Sequence, residues 1–144
     1  MTFALWTPPA LGIPIRECTD ADRKIDGKCW DLQEVQRALI AGELQVLLSP
    51  SAQTQLRDEL GWSGDELKQF IGCLHKARYH DSEWCLPGGA NPKIAPMAAD
   101  SYCMGFNRIK GEENQKADPW IYFKFTIKAN VMTLLVFSVH PERI

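Results

Sequence analysis

Hydrophobic and polar positions alternate most regularly near the C-terminal end of the chain. Across residues 120–128 (Trp-Ile-Tyr-Phe-Lys-Phe-Thr-Ile-Lys), Ile121, Phe123, Phe125 and Ile127 form one row and Tyr122, Lys124, Thr126 and Lys128 the other. This two-residue period marks a half-buried strand. Residues 131–140 are again β-branched and apolar, with Leu135, Phe137 and Val139 in one row and Ser138 and His140 in another. If the two segments pair as a hairpin, the loop length decides which rows share a face. A two-residue loop at Ala129-Asn130 sets Tyr122 opposite Phe137, mixing polar with core positions. An odd-length loop centred near Val131 sets Tyr122 opposite His140 and Lys124 beside Ser138. The second register is the expected one, because it leaves one apolar face and one polar face.

Upstream the period changes to that of helices. Asp31 followed by Glu34 has capping-box spacing and opens a helix to about residue 41, with Leu32, Val35, Leu39 and Ile40 as its buried stripe. The apolar run 44–48 reads as a strand or an extended connector. Pro50 introduces a helical stretch over roughly 52–60 that stops at Gly61, and Ser63 with Glu66 caps another to about residue 77, with Leu67, Phe70, Ile71 and Leu74 inward. Pro87, Gly88, Gly89, Pro92 and Pro96 predict a loop over 81–97; residues 100–106 predict a strand, and 107–118 an exposed turn. Residues 1–30, interrupted by Pro8, Pro9 and Pro14, read as an irregular lead-in. Residues 31–144 read as one α+β domain, helices first and an antiparallel sheet after.

Composition narrows the class. The chain has 144 residues and a net charge of -2, enough for one sizeable core. No apolar run is long enough to cross a bilayer, and the first residues lack the basic start and apolar stretch of a secretion signal. The five cysteines (Cys18, Cys29, Cys73, Cys85, Cys103) include no CxxC pair, so reduced thiols in a cytoplasmic protein are expected. Charge is uneven: residues 1–67 carry six Lys/Arg against eleven Asp/Glu, and residues 68–144 carry ten against seven. The half containing the hairpin is the basic half, which is compatible with a polyanionic partner.

The candidate chemistry lies in the histidines. His75, His80 and His140 are the three present. His80 falls just past the third helix and His140 ends the last strand, so a helix packed across the sheet brings His80 toward His140. Two imidazoles beside Tyr122 and Lys124 suit phosphodiester cleavage without a metal: a neutral His takes the proton of a ribose 2′-hydroxyl, and a cationic His or Lys stabilises the phosphorane or protonates the leaving 5′-oxygen. The simpler reading is that both are exposed histidines near element ends. Cys73, His75, Cys85 and Cys103 do not match zinc-ligand spacing, and Cys73 reads as a small core residue. Trp84, in the expected loop, is either a core residue or a stacking platform for an RNA base.

Several short segments occur in an order that resembles the MqsR toxins, RelE-fold mRNA interferases of bacterial toxin–antitoxin modules. They are Asp58-Glu-Leu-Gly-Trp62, Phe70-Ile-Gly-Cys-Leu74, Arg78-Tyr-His80, Asp100-Ser-Tyr102, Ile121-Tyr-Phe-Lys124 and Leu134-Leu-Val-Phe-Ser-Val-His140. The similarity spans about residues 32–143. It implies N-terminal helices on a small antiparallel sheet, metal-independent cleavage of mRNA with no cofactor, and restraint by a cognate antitoxin protein. The family's basic residue after the helix-following Tyr falls at His80, its Tyr on the penultimate strand at Tyr122, and its Lys on the last strand at His140. The family's Gln before the Asp-x-Tyr segment falls at Ala99. Both basic positions are thus histidine, consistent either with true acid–base chemistry or with an inactive relative.

The expected function is therefore a cytoplasmic, toxin-like endoribonuclease with RNA and an antitoxin as partners. His80 and His140 form its acid–base pair, Tyr122 donates to the scissile phosphate, Lys124 stabilises charge, and Arg78 and Arg143 make outer phosphate contacts. The alternative is a non-catalytic protein that binds a partner through the same sheet.

Overall fold

The computed structural model describes residues 21–85 and 96–142. Residues 1–20 of the expected lead-in, the Pro/Gly-rich stretch 86–95 and residues 143–144, with Arg143 among them, lie outside the described residues. Among the described residues six strands form one mixed sheet in the order β1-β3-β4-β7-β8-β2. They are β1 (Lys24–Ile25), β2 (Gln45–Leu48), β3 (Tyr79–Cys85), β4 (Met97–Met104), β7 (Ile121–Lys128) and β8 (Thr133–Pro141). A separate two-stranded ribbon pairs β5 (Phe106–Asn107) with β6 (Glu112–Glu113). The α+β class is as expected, but the sheet is not purely antiparallel: β2 joins the edge parallel to β8. The run 44–48 could not reveal this, because direction depends on where α1 delivers the chain.

The helices cover one face. In α1 (Leu32–Ile40), Asp31 caps the start by accepting from the Glu34 N–H at 2.9 Å. Its buried stripe is Leu32, Val35 and Ala38, whereas Ile40 is 81% exposed, which corrects the expected stripe. The α2 helix (Pro50–Thr54) runs on as π-helix over Gln55–Leu60 and stops at Gly61, whose φ of 64° a side chain would disfavour. A complete capping box between Ser63 and Glu66 opens α3 (Gly64–Cys73). This helix ends earlier than its pattern implies. The Gln36 side-chain amide of α1 donates to the Ile71 and Leu74 carbonyls at 2.9 and 2.8 Å, satisfying groups that a further turn would have used. Leu67, Phe70, Ile71 and Leu74 are all buried, as the pattern required. The Phe70 ring meets Trp62, Phe106 and Phe123 at centroid distances of 5.4, 5.2 and 5.8 Å, joining α3, the ribbon and the sheet in one aromatic cluster.

The expected loop at 81–97 is strand at both ends. Asp81, Glu83 and Cys85 alternate with buried Ser82 and Trp84. Trp84 is therefore a core residue rather than a stacking platform.

Asp100, in the middle of β4, ties the segment before α1 to the sheet. Its carboxylate is fully buried and accepts from the Cys29 and Trp30 N–H groups at 3.0 and 2.9 Å and from the Ser82 hydroxyl at 2.6 Å. Burial pushes its pKa up, opposed by these hydrogen bonds. Together with β1, this places residues 24–30 against the sheet. Asp100→Ala leaves the Cys29 and Trp30 N–H groups without an acceptor in the core, while the Ser82 hydroxyl keeps the Tyr79 hydroxyl as a partner at 2.6 Å. At roughly 1–3 kcal/mol for each stranded group, urea unfolding should show a loss of at least about 2 kcal/mol. A loss below about 1 kcal/mol would mean that Asp100 is not the anchor.

Candidate functional site

Within the sheet β7 is central, and its polar row faces away from the helices. The register places Tyr122 opposite His140 and Lys124 opposite Ser138, as the hydrophobic pattern required. The cause differs from the expected odd-length loop. The loop is the four residues between Lys128 and Thr133, containing a 3-10 turn at Ala129–Val131 and Met132 in the left-handed region at φ 45°. Next to the loop, Thr126 pairs with Leu135 and Phe125 with Val136; the register then shifts, and Phe137 has no partner. A β-bulge at Phe137 supplies the extra residue, which reverses the facing of everything after it. The inward row of β8 is consequently Leu134, Val136 and Val139, not Leu135, Phe137 and Val139.

A second bulge occurs in β3. Tyr79 pairs with Tyr102 and Asp81 with Ser101, so His80 is the extra residue. His80 thus reaches the site as a member of the sheet, not from a helix end. Ser101 holds this bulge, accepting from the Asp81 backbone N–H at 3.2 Å and donating to the Asp81 carboxylate at 2.6 Å.

Three rings converge as a result. Tyr122 and His140 stack with centroids 5.2 Å apart and planes 24° apart, and His80 meets Tyr122 edge-on at 6.1 Å. Between β3 and β7 lies β4, whose Cys103 is the cross-strand neighbour of Tyr122, a small residue that leaves room for His80 to approach. His80 is exposed, whereas Tyr122 and His140 are half-buried. His140 Nδ1 lies 2.7 Å from the Pro141 carbonyl oxygen. A carbonyl can only accept, so Nδ1 carries the proton and Nε2 of the neutral ring is left with its lone pair, the arrangement of a general base.

The charges around the rings form a ladder. Lys24 lies 2.9 Å from Asp81 and 3.8 Å from Glu83, and Lys124 hydrogen-bonds Glu83 on its other side. Two cations face two carboxylates. Burial pulls the Lys124 ammonium down, but the Glu83 hydrogen bond together with the charge interactions of Cys85, Tyr122 and Glu83 outweighs it, so the net displacement is upward and Lys124 stays charged. Its Nζ lies 5.9 Å from the Tyr122 ring centroid. Burial pushes the Tyr122 phenol up by more than Lys124 and Ser101 pull it down, which keeps it a hydrogen-bond donor.

Arg78 turns elsewhere: Nε donates to Glu113 at 2.6 Å and the guanidinium stacks over Trp120 at 5.5 Å, linking β3 to the ribbon. The four residues expected to carry the chemistry, His80, Tyr122, His140 and Lys124, are thus brought together, and Arg78 is spent on Glu113. Asp81, Glu83 and Ser101 belong to the same face and were not anticipated. Their signal was present in the alternation over 81–85, but the prolines and glycines after it masked the strand. Cys73 donates to the Gly111 carbonyl at 2.9 Å. Among the described residues no group of three His, Cys, Asp or Glu is placed to hold a metal ion, and no helix is long and apolar enough to cross a membrane.

In comparisons with protein-family models, with curated proteins and with solved structures, the chain matches none.

Burial pushes the Asp81 carboxyl up, but hydrogen bonds from Ser101 and Lys24 outweigh it and hold it below its usual range. A carboxyl so held stabilises the fold fully above the unfolded value, and the contribution is lost as pH falls through the lowered one. The difference in melting temperature between wild type and Asp81→Asn should therefore be full above about pH 5 and shrink steadily below about pH 4. A difference that stays constant from pH 7 to pH 2 would show that the carboxylate makes no folded-state pairing.

Proposed function

We propose that this chain is a metal-independent endoribonuclease that cleaves mRNA, with a RelE-like fold and the role of a toxin held in check by an antitoxin protein. The observation that carries the reading is the convergence of His80, Tyr122 and His140 in one row on the face of the sheet away from the helices. The arrangement of helices on one face of a largely antiparallel sheet supports the RelE-like assignment.

The chemistry follows from the positions. Seated over Tyr122, a phosphodiester has one imidazole on each side, as an in-line displacement needs. His140 Nε2 takes the proton of the 2′-hydroxyl, and the 2′-oxygen attacks phosphorus. His80, which is exposed, gives a proton to the departing 5′-oxygen when its imidazole is in the cationic form. The products are a 2′,3′-cyclic phosphate and a free 5′-hydroxyl. Tyr122 donates to a non-bridging oxygen whose charge grows in the transition state, and Lys124 adds its field from beside the ring. Glu83 already pairs with Lys124. Affinity for RNA then depends on groups beyond this ladder, and Arg143 is the proposed outer contact.

The rival reading, a partner-binding protein without catalysis, is favoured by β2. Among the described residues it pairs only with β8, and its Leu47 is 46% exposed, an edge able to accept a partner strand.

Induced expression of the wild type should arrest growth and cleave transcripts. His140→Ala and Tyr122→Phe should each relieve the arrest and lower the cleavage rate by about 100-fold or more while leaving the melting transition in place. An RNA carrying 2′-deoxyribose at the scissile position should resist cleavage. Failure of the wild type to cut RNA in vitro, or full toxicity of both variants, would remove the catalytic reading and leave the binder.

A further inference from the structure

The facing of His140 is decided by one extra residue, and that residue is held from outside the hairpin. Counting back from the loop, Phe125 pairs with Val136, both on the buried face. If β8 continued without interruption, Ser138 and His140 would follow Val136 onto the buried face and Val139 would turn to the polar side. The bulge at Phe137 reverses this: Val139 is fully buried and His140 stacks on Tyr122.

A bulge breaks the ladder and leaves backbone groups to be satisfied elsewhere. Here the partners come from the segment of α2 and its π-helical continuation. The Val139 N–H donates to Gln55 Oε1 at 2.9 Å. The Ser49 hydroxyl donates to the Phe137 carbonyl at 3.1 Å, and the Ser49 N–H donates to the Val136 carbonyl at 2.9 Å. Gln55 is the residue at which α winding gives way to π winding. Neither Gln55 nor Ser49 belongs to the polar face.

We infer that Gln55, assisted by Ser49, is a positioning residue of the site: its side-chain carbonyl accepts from the Val139 N–H just past the bulge, holds the bulge at Phe137, and so keeps His140 stacked on Tyr122 and facing the substrate side. The kinetic consequence rests on the nuclease reading above; the structural consequence does not.

Gln55→Met keeps side-chain length and removes the acceptor, while Gln55→Glu keeps an acceptor oxygen. Three measurements apply. Nuclear Overhauser contacts between the Tyr122 and His140 rings report the register without reference to activity. They should be lost or weakened in Gln55→Met and retained in Gln55→Glu. Exchange of the Val139 amide should be slow in the wild type and accelerate at least tenfold in Gln55→Met. In cleavage assays Gln55→Met should lower kcat by about 100-fold with KM little changed, the pattern of a misplaced catalytic group, and Gln55→Glu should restore most of it. If Gln55→Met does not fold, the wild-type protein still decides: a Val139 amide that exchanges as fast as a loop amide overturns the inference. A folded Gln55→Met with intact ring contacts overturns it too. If the wild type cuts no RNA, the nuclease reading fails alone, and loss of the ring contacts in Gln55→Met with retention in Gln55→Glu still supports the positioning role.

Discussion

The arrangement depends on the strand register around Tyr122. A β-strand side chain has two facings, and a slip of one residue exchanges them for the whole remainder of the strand. Both histidines owe their positions to such a slip. In β3 the bulged residue is His80 itself, inserted between pairs that are otherwise regular. In β8 the bulge lies three residues before His140 and turns it from the core side to the polar side. Tyr122, on the unbulged central strand, is the fixed reference against which both are set. Each bulge is held by a polar side chain, Ser101 on the neighbouring strand in one case and Gln55 on the helical segment in the other.

Packing explains why the register does not drift. Phe123, Phe125 and Ile127 press their row against the helices, where Phe123 meets Phe70. Moving that row to the other face would expose several large apolar side chains at about 1.5–3 kcal/mol each. This far exceeds the net worth of the one or two hydrogen bonds a bulge sacrifices, about 1 kcal/mol apiece. The bulge at Phe137 therefore reconciles two demands: a four-residue loop sets one register, and burial of Val139 requires the other.

Electrostatics distinguish this face from a simple cationic cradle. Lys24 and Lys124 alternate with Asp81 and Glu83, so positive charge is balanced close to the rings. Polar groups so arranged orient one another, while burial, against the pull of Lys124 and Ser101, keeps the Tyr122 phenol protonated. They add little long-range attraction for a polyanion. Arg78, expected nearby as a phosphate contact, pairs with Glu113 and covers Trp120. On such a face, recognition depends on placed donors and acceptors more than on net charge.

Local patterns determined much of this protein on their own. The alternation over 120–128 and the apolar positions of α3 were legible because burial imposes a period that the residues must follow. The helix starts at Asp31 and Ser63 were legible because orphan N–H groups call for a capping oxygen within four residues. Even the pairing of Tyr122 with His140 followed from separating apolar from polar rows. What tertiary structure alone decided are the features whose causes lie far along the chain. The end of α3 depends on Gln36, the parallel entry of β2 on the path out of α1, and the withdrawal of Arg78 on Glu113 in a distant ribbon. The bulge at Phe137 belongs with these. A two-residue period cannot announce its own interruption, since the partner that sustains it, Gln55, stands 84 positions from Val139 and meets it only once the helices have packed.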